Sequence, residues 1–242
     1  MKEYTLENFP EPFVIDGKAN FTIVFGTTRR FDKELKEKIV EAAAIEDVIS
    51  SIDLTQYFSK YIKEGKIEAR IDSWNKDYLK NKNLIVMGSP RVNLIARELN
   101  ENENFWFRYI TPLSPTLASH YGGRPILDPV MRTVYEWVEP HRLGLISFGK
   151  SPYNPDKYAL LVFGHGAAGT YTAALALQDE REIRKRPFGG VVKGRIDWSE
   201  GMKILEIEWL TKPYTVKEYY EGVVWAKNIY VKFREKYPKV EG

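Results

Sequence analysis

The sequence predicts an α/β protein with a mostly parallel sheet, built from repeated units of strand, glycine loop and helix. Three short apolar runs support this prediction, because each is typical of a strand that is buried on both faces. They occupy residues 21–26, 83–88 and 158–164, and each ends at a glycine that precedes a helical pattern. Since helices between such strands form right-handed crossovers, we expect the three glycine loops at one edge of the sheet.

The first of these runs leads into a helical pattern that starts near Asp32, the second into one that starts near Pro90, and the third into an alanine-rich one. After them, residues 190–196 and 203–210 predict two strands of an antiparallel hairpin around a turn at 197–201.

The C-terminal segment 216–237 predicts one long helix, because its apolar side chains recur at steps of three and four. This apolar stripe consists of Val216, Tyr219, Val223, Ala226, Tyr230, Phe233 and Tyr237. The stripe either docks along the sheet or forms a seam for self-association, since its spacing also satisfies a heptad.

At 242 residues the chain is long enough for one large α/β domain or two small ones. The stretch 111–129 is rich in proline and glycine and separates an N-terminal half, 1–110, from a C-terminal half, 111–242, unless both belong to one continuous domain. The aromatic content of 14% and the hydrophobic content of 43% are typical of a globular chain.

The charge balance gives no reason to predict nucleic acid or an anionic membrane as a partner. The chain has 36 basic and 33 acidic residues, and its net charge is only +3. It has no cysteine, and its three histidines are scattered, so neither a disulfide nor a metal site is predicted. Abundant lysine and glutamate without cysteine are typical of a hyperthermophile.

No transmembrane segment is predicted either. Residues 158–178 have the length of a membrane span and contain no acidic residue, lysine or arginine, but they show the pattern of a strand, a glycine loop and a small-residue helix. The N-terminus has no apolar core, so we expect no signal peptide and a cytoplasmic location for the sequence as it stands. A cell-surface location would follow if the chain is a fragment of an exported protein.

The glycine loops supply the candidate ligand-binding residues. They are Arg29, Arg30, Gly88, Ser89, Arg91, Asn93, Gly164, His165, Gly166, Gly169 and Thr170. Arginines and hydroxyls beside open helix N-termini suit a phosphate or carboxylate, so a small anionic ligand is a possible partner. In the second loop we expect Ser89 as the N-cap and Pro90 near the first helical position. The alternative is that these glycines and caps serve packing only.

The third loop, Gly164-His-Gly166-Ala-Ala-Gly169, matches the dinucleotide-binding fingerprint, with Asp197 as a candidate for the acid that binds the ribose. Two features oppose this interpretation: the motif lies late in the chain, and Asp197 is farther along than the usual spacing of about 20 residues. We therefore name no cofactor. No nucleophile elbow or Walker motif occurs, so the sequence favours a protein without catalysis.

Residues 8–26 form a run of proline, apolar residues, glycine, strand and glycine, and 84–93 form a strand followed by Gly88-Ser-Pro90-Arg-Val-Asn93. These and further blocks resemble archaeal surface-layer proteins of the Thermococcales and methanogen type. Residues 8–26 are similar to the start of the mature proteins, and 84–93 to their strand and Gly-x-Pro-x-x-Asn turn. Residues 143–146, 152–155, 160–177 and 188–193 resemble their C-terminal region, with Gly169 and Thr170 before an alanine-rich helix.

The resemblance implies a structural or interaction domain without catalysis, which self-associates through broad surfaces. Members of that family usually have a signal peptide and a C-terminal anchor, and neither is expected from the sequence as it stands. The alternative is an intracellular binding or sensing domain that holds a nucleotide or another phosphorylated small molecule at the glycine-loop edge.

Overall fold

The computed structural model describes residues 3–26, 28–31, 39–42, 45–71, 76–90, 92–110, 125–136, 141–197 and 203–236. Within these residues the strands are β1 (Val14–Ile15), β2 (Lys18–Ala19), β3 (Phe21–Phe25), β4 (Thr28–Phe31), β5 (Ile39–Ala42), β6 (Glu68–Ile71), β7 (Asn83–Met87), β8 (Arg108–Tyr109), β9 (Ile126–Asp128), β10 (Thr133–Tyr135), β11 (His141–Lys150), β12 (Tyr158–Gly164), β13 (Gly189–Asp197) and β14 (Lys203–Trp209). The α-helices are α1 (Ile45–Ser59), α2 (Lys76–Leu79), α3 (Leu94–Glu101), α4 (Gly166–Leu177), α5 (Glu180–Ile183) and α6 (Val216–Lys236), and a 3-10 helix spans Leu6–Asn8.

Seven strands form one mixed sheet in the order β14-β13-β11-β12-β7-β3-β6. From β12 to β6 the neighbours pair in parallel, and from β12 to β14 they pair antiparallel. The α/β class is confirmed, but the prediction of a mostly parallel sheet is wrong for half of the pairings. Only the short connection 151–157 joins β11 to β12, whereas a parallel crossover needs about a dozen residues or more.

Both halves of the chain contribute to this sheet. The strands β3, β6 and β7 come from the N-terminal half, and β11, β12, β13 and β14 come from the C-terminal half. The junction between the halves is the hydrogen-bonded pair of β7 and β12, which lies in the middle of the sheet.

The middle strands are buried on both faces, as their apolar runs predict. Along β7, Leu84 and Val86 pack into the core on one face, and Ile85 and Met87 pack into the core on the other. Helices α3 and α6 supply side chains to the first core, and α1, α4 and the N-terminal segment supply them to the second. The sheet is therefore the central layer of three.

The predicted repetition of strand, glycine loop and helix is not confirmed as a repeat. Loops that begin at Gly88 and Gly164 lead from β7 to α3 and from β12 to α4. After β3 and Gly26, however, the chain forms the antiparallel hairpin of β4 and β5, and α1 begins only at Ile45. The predicted helix start near Asp32 lies outside the described residues.

The predictions for the C-terminal region are confirmed. Strands β13 and β14 form the antiparallel hairpin, and α6 is the long helix, with Tyr237 beyond its described residues. The apolar window at 158–178 consists of β12 and α4, as expected. None of the helices in the described ranges combines the length and the apolar character needed to cross a membrane.

The start of β7 is held by a buried amide, the side chain of Asn83. Its Nδ2 atom donates hydrogen bonds to the carbonyl oxygens of Asn20 at 2.9 Å and Pro12 at 3.2 Å. Its Oδ1 atom accepts from the backbone N–H of Tyr158 at 2.8 Å. The side chain therefore joins β7 to both neighbouring strands at one end of the sheet.

A buried cation attaches α6 to the rest of the protein. Arg108 in β8 is fully buried, and its guanidinium donates to the carbonyl oxygens of Phe105 at 2.6 Å and Asn102 at 2.5 Å. The guanidinium lies 4.1 Å from the ring centre of Trp106 and 5.1 Å from that of Tyr230 in α6. Burial lowers the pKa of Arg108. Carbonyl oxygens and ring faces thus replace the water that this cation would otherwise bind.

Candidate functional site

The three glycine loops lie at one edge of the sheet, as predicted. Strands β12, β7 and β3 are adjacent and parallel, and they end at Gly164, Met87 and Phe25. The loops that follow therefore emerge side by side, at the kind of edge where open α/β sheets bind ligands.

The structure describes the side-chain surroundings of eight of the eleven predicted site residues. They are Gly88, Ser89, Asn93, Gly164, His165, Gly166, Gly169 and Thr170. Arg91 lies outside the described residues. Arg29 and Arg30 belong to β4, and only their backbone is described.

Asn93 is fully buried and uses its amide within the protein. Its Nδ2 atom donates to the carbonyl oxygens of Met87 at 2.7 Å and Val24 at 3.4 Å, so it joins the ends of β7 and β3. Its Oδ1 atom accepts from the backbone N–H of Ala96 at 2.9 Å and thereby caps α3. The side chain is positioned by three internal partners.

The N-cap of α3 is therefore Asn93, and the prediction of Ser89 as the N-cap is wrong. The carbonyl oxygen of Ser89 accepts from the backbone N–H groups of Val92 and Asn93, which makes a separate turn ahead of the helix. Helix α3 begins at Leu94, after this turn, and not near Pro90. Pro90 restricts the backbone of this turn. Asn93, which follows the turn, has its side-chain oxygen better placed than that of Ser89 to accept from the first N–H groups of α3.

Sequence reasoning missed a carboxyl group at this edge. Asp47 in α1 is 2% exposed, and a Cβ atom added to Gly88 would lie 2.8 Å from its Oδ2 atom. Gly88 has a φ of +89°, a conformation that favours glycine. Asp47 precedes Gly88 by 41 positions, and nothing in the sequence indicates that the two residues are in contact.

The first and last glycines of the fingerprint allow strands and helix to approach each other. A Cβ atom at Gly164 would meet the carbonyl oxygen of Leu143 and the backbone of Gly169 well within 3.0 Å. A Cβ atom at Gly169 would likewise meet the carbonyl oxygen of Leu143, and it would lie 2.8 Å from the carbonyl carbon of Gly164. The spacing of these two glycines is therefore explained by the packing of α4 on β11 and β12.

The residues between these glycines differ in their surroundings. Gly166 is exposed, has a φ of +64°, and would leave a Cβ atom without any neighbour within 4 Å. His165 is 7% exposed, and its ring is stacked on Tyr109 with 5.7 Å between ring centres and an angle of 8°. Thr170 is 1% exposed, and its hydroxyl donates to the carbonyl oxygen of Gly166 at 3.5 Å.

Most of the described residues at this edge therefore make contacts within the protein. Gly164, Gly169, Asn93 and Thr170 have partners within the protein, and Gly166 is the member that faces open space. Among the residues that the structure describes, no cluster of three or more histidine, aspartate or glutamate side chains is placed to hold a metal ion.

No protein-family model matches this chain, and no curated protein matches it. The resemblance to surface-layer proteins is accordingly a likeness of sequence blocks alone.

A second buried acid lies away from the glycine loops, in the small antiparallel sheet of β8, β9 and β10. Asp128 is fully buried, and its carboxyl group accepts from the backbone N–H groups of Val130 and Met131, both at 2.9 Å, and from the hydroxyl of Thr211 at 2.5 Å. Burial raises the pKa of Asp128 to about 6, against the effect of these three hydrogen bonds. The carboxyl group joins the small sheet to the segment that follows β14.

This acid is expected to make the folded state less stable as the pH rises from about 4 to 6. In that range the native Asp128 still binds its proton while the unfolded chain has lost it, so the slope of stability against pH is negative, and it vanishes above pH 6. The contribution amounts to about 3 kcal/mol, since the pKa of Asp128 rises from 3.8 to about 6. Denaturant titrations of the wild type and of Asp128→Asn at several pH values measure it, because the other carboxyl groups cancel in the difference. A difference that does not vary between pH 4 and 7 would contradict the assignment.

Proposed function

We propose that the protein is a non-catalytic structural domain of the surface-layer type, which associates with further copies of itself. The observation that supports self-association is a row of exposed apolar side chains on the outer face of α6. The exposed fractions are 36% for Val216, 58% for Tyr220, 64% for Val224 and 52% for Val231. We refer to these four residues as the outer row.

The other face of α6 is occupied by the protein's own core. Tyr219, Val223 and Ala226 are buried, and Tyr230 and Phe233 pack against the same core. The described members of the predicted apolar stripe therefore dock on the protein, except for Val216, which belongs to the outer row. Any contact between copies through α6 would use the outer row.

The charges beside the outer row favour an antiparallel pairing of two α6 helices. Lys217 and Glu221 lie near the start of the helix, and Lys232 and Glu235 lie near its end, all four exposed. A two-fold axis near residue 226 brings Lys217 opposite Glu235, and Glu221 opposite Lys232, of the second copy. A parallel pairing would place like charges together. The flanking charges are therefore complementary in this pairing. Lys227 of each copy lies near the axis, and its charge is balanced by Glu103 of the same copy at 3.5 Å.

The geometry of the glycine loops also supports a structural role. The close approaches at Gly164 and Gly169, together with the buried cap Asn93, explain why these residue types occur there without any ligand. The surface-layer part of the proposal is supported by the order of the sequence blocks that resemble that family.

The double variant Val224→Lys, Val231→Lys tests the outer row. Sedimentation velocity of the wild type is expected to show association that increases with concentration, and the double variant is expected to remain monomeric. The reason is that contact would bury four ammonium groups per dimer without partners. Gln56→Lys, which adds one positive charge at an exposed position of α1, where the double variant adds two on α6, is the control and should associate like the wild type.

A wild type that stays monomeric at high concentration, across salt and divalent-cation conditions, would contradict the proposal. A thermal-shift screen then tests the alternative, a nucleotide or another phosphorylated small molecule at the glycine-loop edge. A ligand at 100 times its Kd stabilises the protein by about 2.7 kcal/mol. A selective shift that Arg91→Ala abolishes would favour the binding or sensing function.

A further inference from the structure

A cleft with aromatic walls lies at the end of the sheet opposite to the glycine loops. It is bounded by the N-terminal segment, by the adjoining ends of β11 and β12, by residues 103–106 and by α6. Its volume is about 350 Å³. That value lies within the range of about 300–1,000 Å³ that small-molecule sites occupy.

Aromatic rings make up half of the cleft lining and hold one another in place. Phe148 and Tyr158 are stacked with 5.3 Å between ring centres, and Tyr4 meets Tyr158 edge to face at 5.6 Å. On the side of α6, Phe188 lies 4.3 Å from the ring centre of Tyr219 and 5.7 Å from that of Tyr220. Tyr220 is 58% exposed, so its ring is open to a ligand.

The polar groups of the cleft are charged but balanced. Lys150 Nζ lies 3.1 Å from Glu3 Oε1, and Lys227 Nζ lies 3.5 Å from Glu103 Oε2. The amide of Asn104 completes the polar lining. Two ammonium groups and two carboxylates give a formal charge of zero, so the cleft has no electrostatic preference for an anion or a cation.

These features together narrow the chemical class of ligand. A phosphate or carboxylate ligand would have to displace a glutamate from its lysine, and a purely apolar ligand would leave both ion pairs without a role in recognition. Adjacent hydroxyl groups, each both donor and acceptor, can bond to the ammonium and the carboxylate of one pair at the same time. A ligand with such hydroxyls and an apolar C–H face suits the rings as well, because ring faces are negative and C–H hydrogens are positive.

We propose that this cleft binds an uncharged saccharide unit. The apolar face of the sugar ring lies against Tyr220, and its hydroxyl groups bond to Asn104 and to the pair of Lys227 and Glu103. This function does not depend on the self-association of α6, but the two share Tyr220, so a dimer through the outer row would compete with the saccharide for that ring.

The test is calorimetric titration with methyl glycosides of common hexoses and N-acetylhexosamines and with their short oligosaccharides. It is carried out in the Val224→Lys, Val231→Lys variant, so that association through the outer row cannot mask the cleft. Saturable binding of at least one saccharide is expected. Tyr220→Ala should weaken it about tenfold or more, and Glu103→Ala severalfold. Both side chains are largely exposed, so neither change should alter the thermal unfolding temperature by much.

Gln56→Lys, added to the same background, is the control and should leave the affinity unchanged. The proposal is overturned if no saccharide in the panel binds saturably to the folded protein. It is also overturned if Tyr220→Ala and Glu103→Ala both bind the saccharide with the original affinity. Binding of an apolar peptide to the cleft, with no saccharide bound, would overturn it as well.

Discussion

Gly169→Ala is expected to lower the free energy of unfolding by about 3 kcal/mol or more. The added methyl group would meet the carbonyl oxygen of Leu143 and lie 2.8 Å from the carbonyl carbon of Gly164. Backbone atoms cannot rotate away as side chains do, so α4 would have to move off the sheet and lose contacts along its length. Urea denaturation monitored by tryptophan fluorescence measures the loss.

Gly166→Ala is the matched control in the same loop. No heavy atom lies within 4 Å of a Cβ atom there, so the variant should lose only the cost of a left-handed backbone, about 1–2 kcal/mol. Equal losses in the two variants would show that the close approach of α4 to the sheet is not what requires glycine at position 169.

Asn93→Ala is expected to lower the free energy of unfolding by about 2–4 kcal/mol. The change removes the cap of α3, which is worth about 1 kcal/mol. It also removes the amide that donates to the buried carbonyl oxygen of Met87 at 2.7 Å. Leaving this oxygen without a donor costs about 1–3 kcal/mol more. Denaturant titration at constant pH is again the measurement.

Asn93→Ser separates the two effects, since serine retains a capping oxygen but is too short to reach both strand ends. It should be more stable than Asn93→Ala by about 1 kcal/mol and less stable than the wild type. If both variants are as stable as the wild type while the thermal shift with a phosphorylated ligand disappears, Asn93 is a ligand contact, as the sequence alone suggests.

Regular patterns along the chain predicted much of the fold. The stepwise apolar positions of 216–237 define α6, the paired runs at 190–196 and 203–210 define the last hairpin, and the glycine after each apolar run fixes the shared edge. Strand direction could not be predicted, because an apolar strand such as β11 has the same pattern whether it runs parallel or antiparallel to β12.

The roles of the interior polar residues could not be predicted either, because they depend on contacts between distant parts of the chain. Arg108 is a single charge in an apolar run, and its stacking on Tyr230 depends on a contact with a helix more than a hundred positions away. Asp128 follows two apolar residues at a strand end, and only the fold brings Thr211 to it. The described loops after β7 and β12 lie at the predicted edge, but the partners of their glycines, Leu143 and Asp47, lie on elements that no local motif connects to them.

The two asparagines at the ends of β7 also settle the register of the central strand. Every side chain from Leu84 to Met87 is apolar and buried, so a slip by one residue would exchange the two faces of β7 without exposing a polar group. Hydrophobic burial therefore discriminates poorly between alternative registers of this strand. A slip would, however, draw Asn83 away from the carbonyl oxygen of Asn20 and Asn93 away from that of Val24, both on the β3 side of the sheet. Each lost bond of a buried amide costs about 1–3 kcal/mol. Two polar side chains thus select one alignment for a strand whose apolar residues would accept several.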